Sequence, residues 1–257
     1  MDRRRRPLLL LRFDVTNEGM SKNGKISERV AGEIRRLIAD GELSDGAELG
    51  SEAQLIKRFA ASRPSIREAV RILESEGLVS IVKGARTVRV QQPSETLPTR
   101  FIALVLRSQK TSLADAYRAR TLLEPPAVRE VVNRGDPKAL GFLQDIVERE
   151  HRAIGDPIAF SRLTVQFHEE ITRLSGNKTT HLLLTMLRSI FEGHFEASVS
   201  SASTANFNLA VKAHRILLRY IARKDSNGAE KFWARHLAEV EKRMSEFPGF
   251  NDIVDMF

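Results

Sequence analysis

Apolar residues recur at helical spacing along the first part of the chain. In the earliest such segment they lie three or four positions apart until Gly41, which predicts one amphipathic helix that ends at that glycine. Two shorter segments follow. Ser51 and Gln54 have capping-box spacing and open the first of them, while Ser62 can cap the second, which Gly77 closes. Because only a tight turn separates these two segments, they predict a helix-turn-helix.

The pattern then changes to strands. Residues 78–82 and 87–90 are rich in β-branched side chains, and residues 83–86, with Gly84, have the composition of a hairpin turn. Three helices followed by a hairpin predict a winged helix-turn-helix, which we assign to residues 21–92. Residues 93–96 are polar and predict a linker.

The remainder of the chain has helical periodicity throughout and predicts an all-α bundle over residues 97–248, with a tail at 249–257. Pro125 and Pro126 fall inside the second predicted helix of this bundle and should kink or split it. The fold class is therefore mainly α, with a small β-hairpin wing. The predicted helices are 97–108, 112–134, 137–153, 157–175, 178–200, 205–224 and 226–247.

Residues 1–20 differ from the rest of the chain. Four consecutive arginines precede the apolar run 8–11, which resembles a signal peptide but is too short for one. We expect either a disordered arm or a segment upstream of the natural start. Apolar runs of this length are far below the roughly 18 residues that a spanning helix needs, so no membrane crossing is predicted.

The composition narrows the possible chemistry. Cysteine is absent, which excludes disulfides, thiolate metal sites and a cysteine nucleophile, and favours the cytoplasm. The formal net charge is +8, from 41 basic and 33 acidic residues. A polyanion partner and an ordinary solvated basic surface both account for this charge, so charge by itself does not decide between them.

The third predicted helix carries Arg63, Arg67 and Arg71 within about 80° of one another, beside an apolar arc. Arginine forms bidentate bonds with guanine edges and clamps phosphates, and the start of a recognition helix reaches the bases. The alternative is a solvated helix face. The candidate DNA contacts are Ser62, Arg63, Ser65, Arg67 and Arg71, with Lys83 and Gly84 on the wing.

Three motifs carry a family resemblance: Leu49-Gly-Ser-Glu52, Ser62-Arg-Pro-Ser-Ile-Arg-Glu-Ala-Val70 and Leu73-Glu-Ser-Glu-Gly-Leu-Val79. Together with the wing they resemble the DNA-binding domain of the GntR family over residues 25–90. The resemblance implies a bacterial homodimeric regulator that binds a double-stranded DNA operator, with Arg63, Arg67 and Gly84 at contact positions. Ala53 stands where the family often has a further DNA-contacting arginine.

Three of the six histidines, His168, His214 and His236, share apolar stripes of separate predicted helices. Each one singly is typical of a packed core residue. Together they could enclose a divalent ion inside the bundle. A metal-dependent hydrolase fused to a DNA-binding module is the competing hypothesis, with Glu169 or Glu170 as its general base. A helical scaffold without an effector is the third.

Residues 97–248 resemble the FadR C-terminal domain. The resemblance rests on Phe167-His168, Leu174-Ser-Gly-Asn177, Tyr117-Arg-Ala-Arg120-Thr-Leu-Leu-Glu124 and the 22-residue spacing from His214 to His236. This resemblance implies a ligand-responsive regulator rather than an enzyme. Its effector would be a small organic acid, bound near Arg120, Thr164 and Asn177.

The same resemblance implies zinc, nickel or manganese at the three histidines. Metal-binding members commonly carry an aspartate four residues before the first histidine, where this chain has Thr164. A hydroxyl is a poorer ligand than a carboxylate, so we expect a weaker site. Arg120 has an alternative role as the i, i+4 partner of Glu124.

Overall fold

A computed structural model describes residues 22–82, 87–94, 96–198, 204–246 and 249–254. The chain divides between residues 94 and 95 into two compact units, here called the N-terminal unit and the helical unit. The predicted arm of residues 1–20 and the wing turn with Lys83 and Gly84 lie outside the described residues.

The N-terminal unit is a winged helix-turn-helix, as predicted. Its elements are α1 (Lys22–Ala39), β1 (Glu48–Ser51), α2 (Glu52–Phe59), α3 (Arg63–Ser75), β2 (Val79–Val82) and β3 (Thr87–Val90). The antiparallel sheet has the strand order β1-β3-β2, and Val79 faces Val90 in the β2–β3 pairing. Strand β1 was not predicted, because it is four residues long and forms only by pairing with a strand much later in the chain.

Local signals set the helix ends in this unit. Ser51 and Gln54 form both bonds of the predicted capping box at the start of α2. Ser62 caps α3, and after that helix Gly77 takes φ +70°, a left-handed conformation that suits glycine. The apolar faces of the helices and sheet then meet in one core, which includes Ile34, Leu55, Ile66, Leu73 and Val88.

The helical unit contains all seven predicted helices, with ends within three residues of the predicted ones. Pro125 and Pro126 lie inside a continuous helix, so the predicted split does not occur. The elements are α4 (Thr96–Ser108), α5 (Leu113–Arg134), α6 (Pro137–Arg152), α7 (Pro157–Leu174), α8 (Lys178–Ser198), α9 (Thr204–Ala222) and α10 (Ser226–Met244).

Helix α5 packs against α7 and α10, while α6 packs against α7 and α9. This arrangement brings the inner faces of α7, α9 and α10 into one core around the wholly buried Phe167, Leu217 and Trp233. Residues 249–254, predicted as a tail, dock on this unit: the Val254 N–H donates to the Thr111 carbonyl at 3.0 Å. Among the described residues, no helix is long and apolar enough to cross a membrane.

Candidate functional site

Helix α3 presents an arginine face, made of Arg63, Arg67 and Arg71. Their side chains are 67%, 62% and 76% exposed. The opposite side of the helix is buried in the core through Ile66, Ala69, Val70 and Leu73. The helix therefore packs by one face and leaves three guanidinium groups in solvent.

One carboxylate lies between two of these arginines. Glu52, the first residue of α2, accepts a hydrogen bond through Oε2 from Arg67 Nε at 3.2 Å, and its Oε1 lies 3.2 Å from Arg63 Nε. Arg71 is 3.8 Å from Glu68 on its own helix. In the sequence, Glu52 was assigned to the capping segment and to the GntR-like motif, with no predicted contact to the arginines. Its position 15 residues before Arg67 gave no local signal of the contact.

Ser62, the N-cap, and Ser65, in the first turn, stabilise the start of α3. Ser62 Oγ accepts from the Ser65 N–H at 3.3 Å and lies 2.9 Å from Ser65 Oγ. Ser65 is 1% exposed, and its contact with DNA stays a prediction. Ser62 is exposed and stays a predicted contact.

In the helical unit, packing brings together a histidine cluster of His168 on α7, His214 on α9 and His236 on α10. All three are buried. The ring centroids of His168 and His214 are 5.6 Å apart, and those of His214 and His236 are 6.0 Å apart. The indole of Trp233 lies 4.8–5.7 Å from each ring, so the cluster surrounds the single tryptophan of the chain.

Two of the rings are held by buried carboxylates. His168 Nδ1 is 2.6 Å from Glu124 Oε2, and His214 Nδ1 is 2.7 Å from Glu150 Oε2. We assign the Nδ1–H tautomer to both rings, because a carboxylate needs a donor at that distance. The lone pair then resides on Nε2. In His214 this atom is buried and has no hydrogen-bond partner among the described residues.

Glu124 also binds Arg120 and the indole. It accepts from Arg120 Nε at 2.8 Å and from Trp233 Nε1 at 3.0 Å. Burial opposes ionisation of Glu124, but the His168 ring and the Arg120 guanidinium outweigh it and lower the pKa of the carboxyl to about 2. The i, i+4 pair considered for Arg120 is therefore present. Its Nη2 lies 2.7 Å from His168 Nδ1.

Burial keeps the His168 and His236 rings neutral. It lowers the pKa of His168 to about 4, with a further contribution from the nearby Arg120 charge. Burial likewise lowers the pKa of His236 to about 2, followed by the effect of His214. Neutral imidazoles at pH 7 are the form in which histidine binds metals.

The two remaining predicted positions differ in their surroundings. Thr164 is buried and donates from Oγ1 to Glu150 Oε1 at 3.0 Å, so it belongs to the cluster. Asn177 is exposed, and its Oδ1 caps α8 by accepting from the Thr180 N–H at 3.1 Å. In this structure Asn177 starts a helix, and its role in an effector site stays a prediction.

A pocket opens beside the cluster. Two arginines line it, Arg120 and Arg188. Arg188 was not predicted as a site residue, and its Nη1 donates to Glu169 Oε2 at 3.0 Å. The side chains that line the pocket are Arg120, Glu124, Val165, His168, Glu169, Leu184 and Arg188.

The three imidazoles of the cluster are side chains of the type that divalent transition ions take as ligands. Within the described part of the chain, no three histidine or acidic side chains stand at ligating geometry. The chemistry nevertheless matches: histidine ligands of metals commonly donate their second ring N–H to a carboxylate, as His168 and His214 do. The buried, unpartnered Nε2 of His214 is the nitrogen that such an ion would use.

Comparison with known proteins agrees with this organisation. Residues 26–88 match the bacterial regulatory proteins of the gntR family, and residues 115–239 match the FCD domain. The HTH-type transcriptional repressor NanR of Klebsiella aerogenes is 28% identical over 222 residues, covering 84% of each chain. NanR of Escherichia coli K12 is 26% identical over 226 residues, covering 87% of this chain and 86% of its own.

Among solved structures, the Streptococcus agalactiae GntR protein superposes with a TM-score of 0.67 at 24% identity, covering 84% of this chain and 99% of its own. That likeness supports the fold. Together with the arginine face of α3 and the all-helical second unit, the two family matches identify the chain as a bacterial regulatory protein of the GntR family, in the FadR-like group that carries an FCD domain.

Proposed function

We propose that this protein is a ligand-responsive transcriptional repressor in which the N-terminal unit binds an operator and the helical unit binds a small organic acid. The observation that carries the proposal is the exposed arginine face of α3 within a domain matched by the gntR family. Repression follows the NanR relatives, which are described as transcriptional repressors. Acting on DNA in a bacterium, the protein would work in the cytoplasm.

Arg63 and Arg67 are the base-reading candidates, because they occupy the first turns of α3. A bidentate arginine contact to guanine is worth about 1–3 kcal/mol of discrimination. Arg71 lies further along the same face and suits a phosphate, as Ser62 and the wing residues Lys83 and Gly84 do. Losing a phosphate contact weakens binding to every sequence alike.

The test compares Arg67→Ala with wild type on an operator selected in vitro and on a random duplex. We expect the variant to lose affinity for the operator and to lose much less on random DNA. Arg118→Ala, which removes an exposed arginine from α5, is the matched control and should bind both duplexes like wild type. Unchanged binding of Arg67→Ala to both duplexes would overturn the assignment.

The working unit in this proposal is a homodimer on a pseudo-palindromic site. A single winged helix makes few base contacts, and two-fold symmetry doubles them. Helix α4 carries an exposed apolar row that suits a second copy of the chain: Phe101, Leu104 and Val105 are 66%, 53% and 49% exposed. Light scattering should give a dimer that Leu104→Glu weakens, and a monomeric wild type at operator-saturating concentration would refute it.

The effector would enter the pocket beside the histidine cluster. Arg120 and Arg188 line this pocket and can each pair with a carboxylate. Zinc, nickel or manganese would be held by His168, His214 and His236, and when bound would supply positive charge for an anionic ligand. For regulation, the acid must have different affinities for the DNA-competent and DNA-incompetent arrangements. With equal affinities, its binding would not change the equilibrium between them.

Calorimetry tests this part of the proposal directly. Wild type is titrated with zinc, nickel and manganese, and then with a panel of small mono- and dicarboxylic acids. We expect metal binding that His214→Ala abolishes, and acid binding that Arg120→Met weakens. If no ion binds to the wild type, the histidines are core packing; if no acid binds, the pocket is not an effector site.

The competing hydrolase hypothesis has little support. Its candidate bases are both engaged: Glu169 accepts from Arg188 and Thr185, while Glu170 pairs with Arg173. A carboxylate held in an ion pair is a weak general base. We therefore propose that the protein is not an enzyme, and an ester-hydrolysis assay of the zinc-loaded chain should give no rate above that of His214→Ala.

A further inference from the structure

Glu150 is a wholly buried carboxylate whose partners carry no fixed positive charge. It is 0% exposed on α6, and its hydrogen bonds within the described residues go to the His214 ring and the Thr164 hydroxyl. Glu124, the other carboxylate of the cluster, instead has the Arg120 guanidinium beside it. The two acidic groups therefore differ in charge compensation.

An ionised carboxylate in a protein interior is costly unless a positive charge lies near it. A cation bound at the opposite nitrogen of the His214 ring would bring such a charge close to Glu150. That nitrogen, His214 Nε2, is buried and lacks a partner among the described residues, so a cation bound there would be linked to Glu150 through the ring.

We infer that Glu150 is the positioning residue of the cation site: it fixes the His214 tautomer and supplies the negative charge that draws a divalent ion to the cluster. This inference rests on the metal part of the proposed function. The carboxylate acts from behind a ligand rather than on the ion. Partners in that position typically change metal affinity 10–100-fold.

Thr164 acquires a role from the same geometry. Its hydroxyl donates to Glu150 Oε1 and leaves Oε2 for the His214 ring, so Thr164 orients the carboxylate. It follows that aspartate at position 164 would place a second anion against Glu150 in the wild-type background. With Glu150 neutralised, the same aspartate would restore the missing charge within a few ångströms of where it was.

The experiment measures zinc affinity of the full-length chain by competition with a chelator. The variants are Glu150→Gln, which keeps the shape and removes the charge, and the double variant Glu150→Gln with Thr164→Asp. Glu148→Gln is the matched control, since Glu148 lies on the same helix but pairs with Arg215 at the surface. Thermal unfolding of each metal-free protein is recorded alongside.

We expect Glu150→Gln to bind zinc 10–100-fold more weakly, the double variant to recover at least part of that loss, and Glu148→Gln to match wild type. Metal-free Glu150→Gln should melt at or above the wild-type temperature, because an uncompensated buried charge has been removed. Equal zinc affinity in Glu150→Gln, or weaker affinity with a lower metal-free melting temperature and no recovery by Thr164→Asp, would overturn the inference. Absence of zinc binding in wild type would instead remove the proposed metal site itself.

Discussion

The arginine face of α3 and the histidine cluster both place an arginine against a glutamate, with opposite consequences. On α3, Arg67 and Glu52 are 3.2 Å apart with side chains 62% and 33% exposed. In the cluster, Arg120 and Glu124 are 2.8 Å apart with side chains 6% and 1% exposed. The same type of ion pair is therefore exposed to solvent in the N-terminal unit and buried in the core of the helical unit.

This difference in burial determines how easily each ion pair can be broken. An exposed pair contributes about 0–1 kcal/mol, so Arg67 can exchange Glu52 for a phosphate or a base edge at little cost. A buried pair has lost its hydration, and removing one partner leaves an uncompensated charge. The N-terminal unit is thus suited to changing partners, and the helical unit to holding fixed groups around a ligand.

Removing Glu124 should have the largest effect. Glu124→Ala leaves Arg120 buried without its carboxylate, and we expect a loss of about 3–5 kcal/mol in the free energy of unfolding. Urea unfolding followed by Trp233 fluorescence reports on the helical unit, since this is the only tryptophan. The control is Glu230→Ala, whose partner Arg129 is 48% exposed and which should cost about 1 kcal/mol or less. Comparable losses in the two variants would contradict the contrast between buried and exposed pairs.

Acid should selectively weaken the helical unit. His168 has a pKa of about 4 in the folded protein, against an ordinary value of 6.5. Between pH 6.5 and pH 4 the unfolded chain therefore binds a proton at this ring that the folded chain does not bind. Stability is therefore lost as the pH falls from 6.5 toward 4, by up to about 1.4 kcal/mol per pH unit for this group. His236 adds a loss of the same sign.

Melting curves from pH 7.5 to 4.5, recorded by Trp233 fluorescence with a chelator present, measure this effect. His168→Gln removes one titrating ring and should flatten the pH dependence. A wild-type melting temperature that does not change between pH 7 and pH 5 would show that the rings are not held neutral by the fold.

Neutralising Glu52 should have the smallest effect, and it should appear in DNA binding rather than in folding. Glu52→Gln removes the carboxylate between Arg63 and Arg67 together with one negative charge near the phosphates. We expect affinity for random duplexes to rise by about 1 kcal/mol or less, with discrimination for the operator reduced. Anisotropy titrations at two salt concentrations measure both quantities.

The control for this variant is Glu68→Gln, which removes one negative charge from α3. Among the described residues, Glu68 is paired with Arg71, at 3.8 Å, and not with Arg63 or Arg67. The control should raise binding to all sequences without changing discrimination. If the two variants behave identically, Glu52 acts as a general charge and does not position the arginines.

Local sequence signals were sufficient for most of the fold. The caps at Ser51 and Ser62 and the apolar periodicity of the bundle helices depend on neighbours within a few residues, so the helices were predicted within three residues at their ends. The same periodicity placed His168, His214 and His236 on inner faces. Strand β1 was not predicted, because its partner, β3, lies far away in the sequence.

The sequence by itself determined the helices, the wing, the arginine face and the inward direction of the three histidines, because each depends on residue type and short-range spacing. Only the tertiary structure decided the partners of these groups. Glu150 stands in a charged stretch of α6 that looks solvated in sequence, and it is buried because α6 packs against α7 and α9. Its contacts to Thr164 and His214, 14 and 64 residues away, follow from that packing, since burial and charge compensation arise only when separate helices meet.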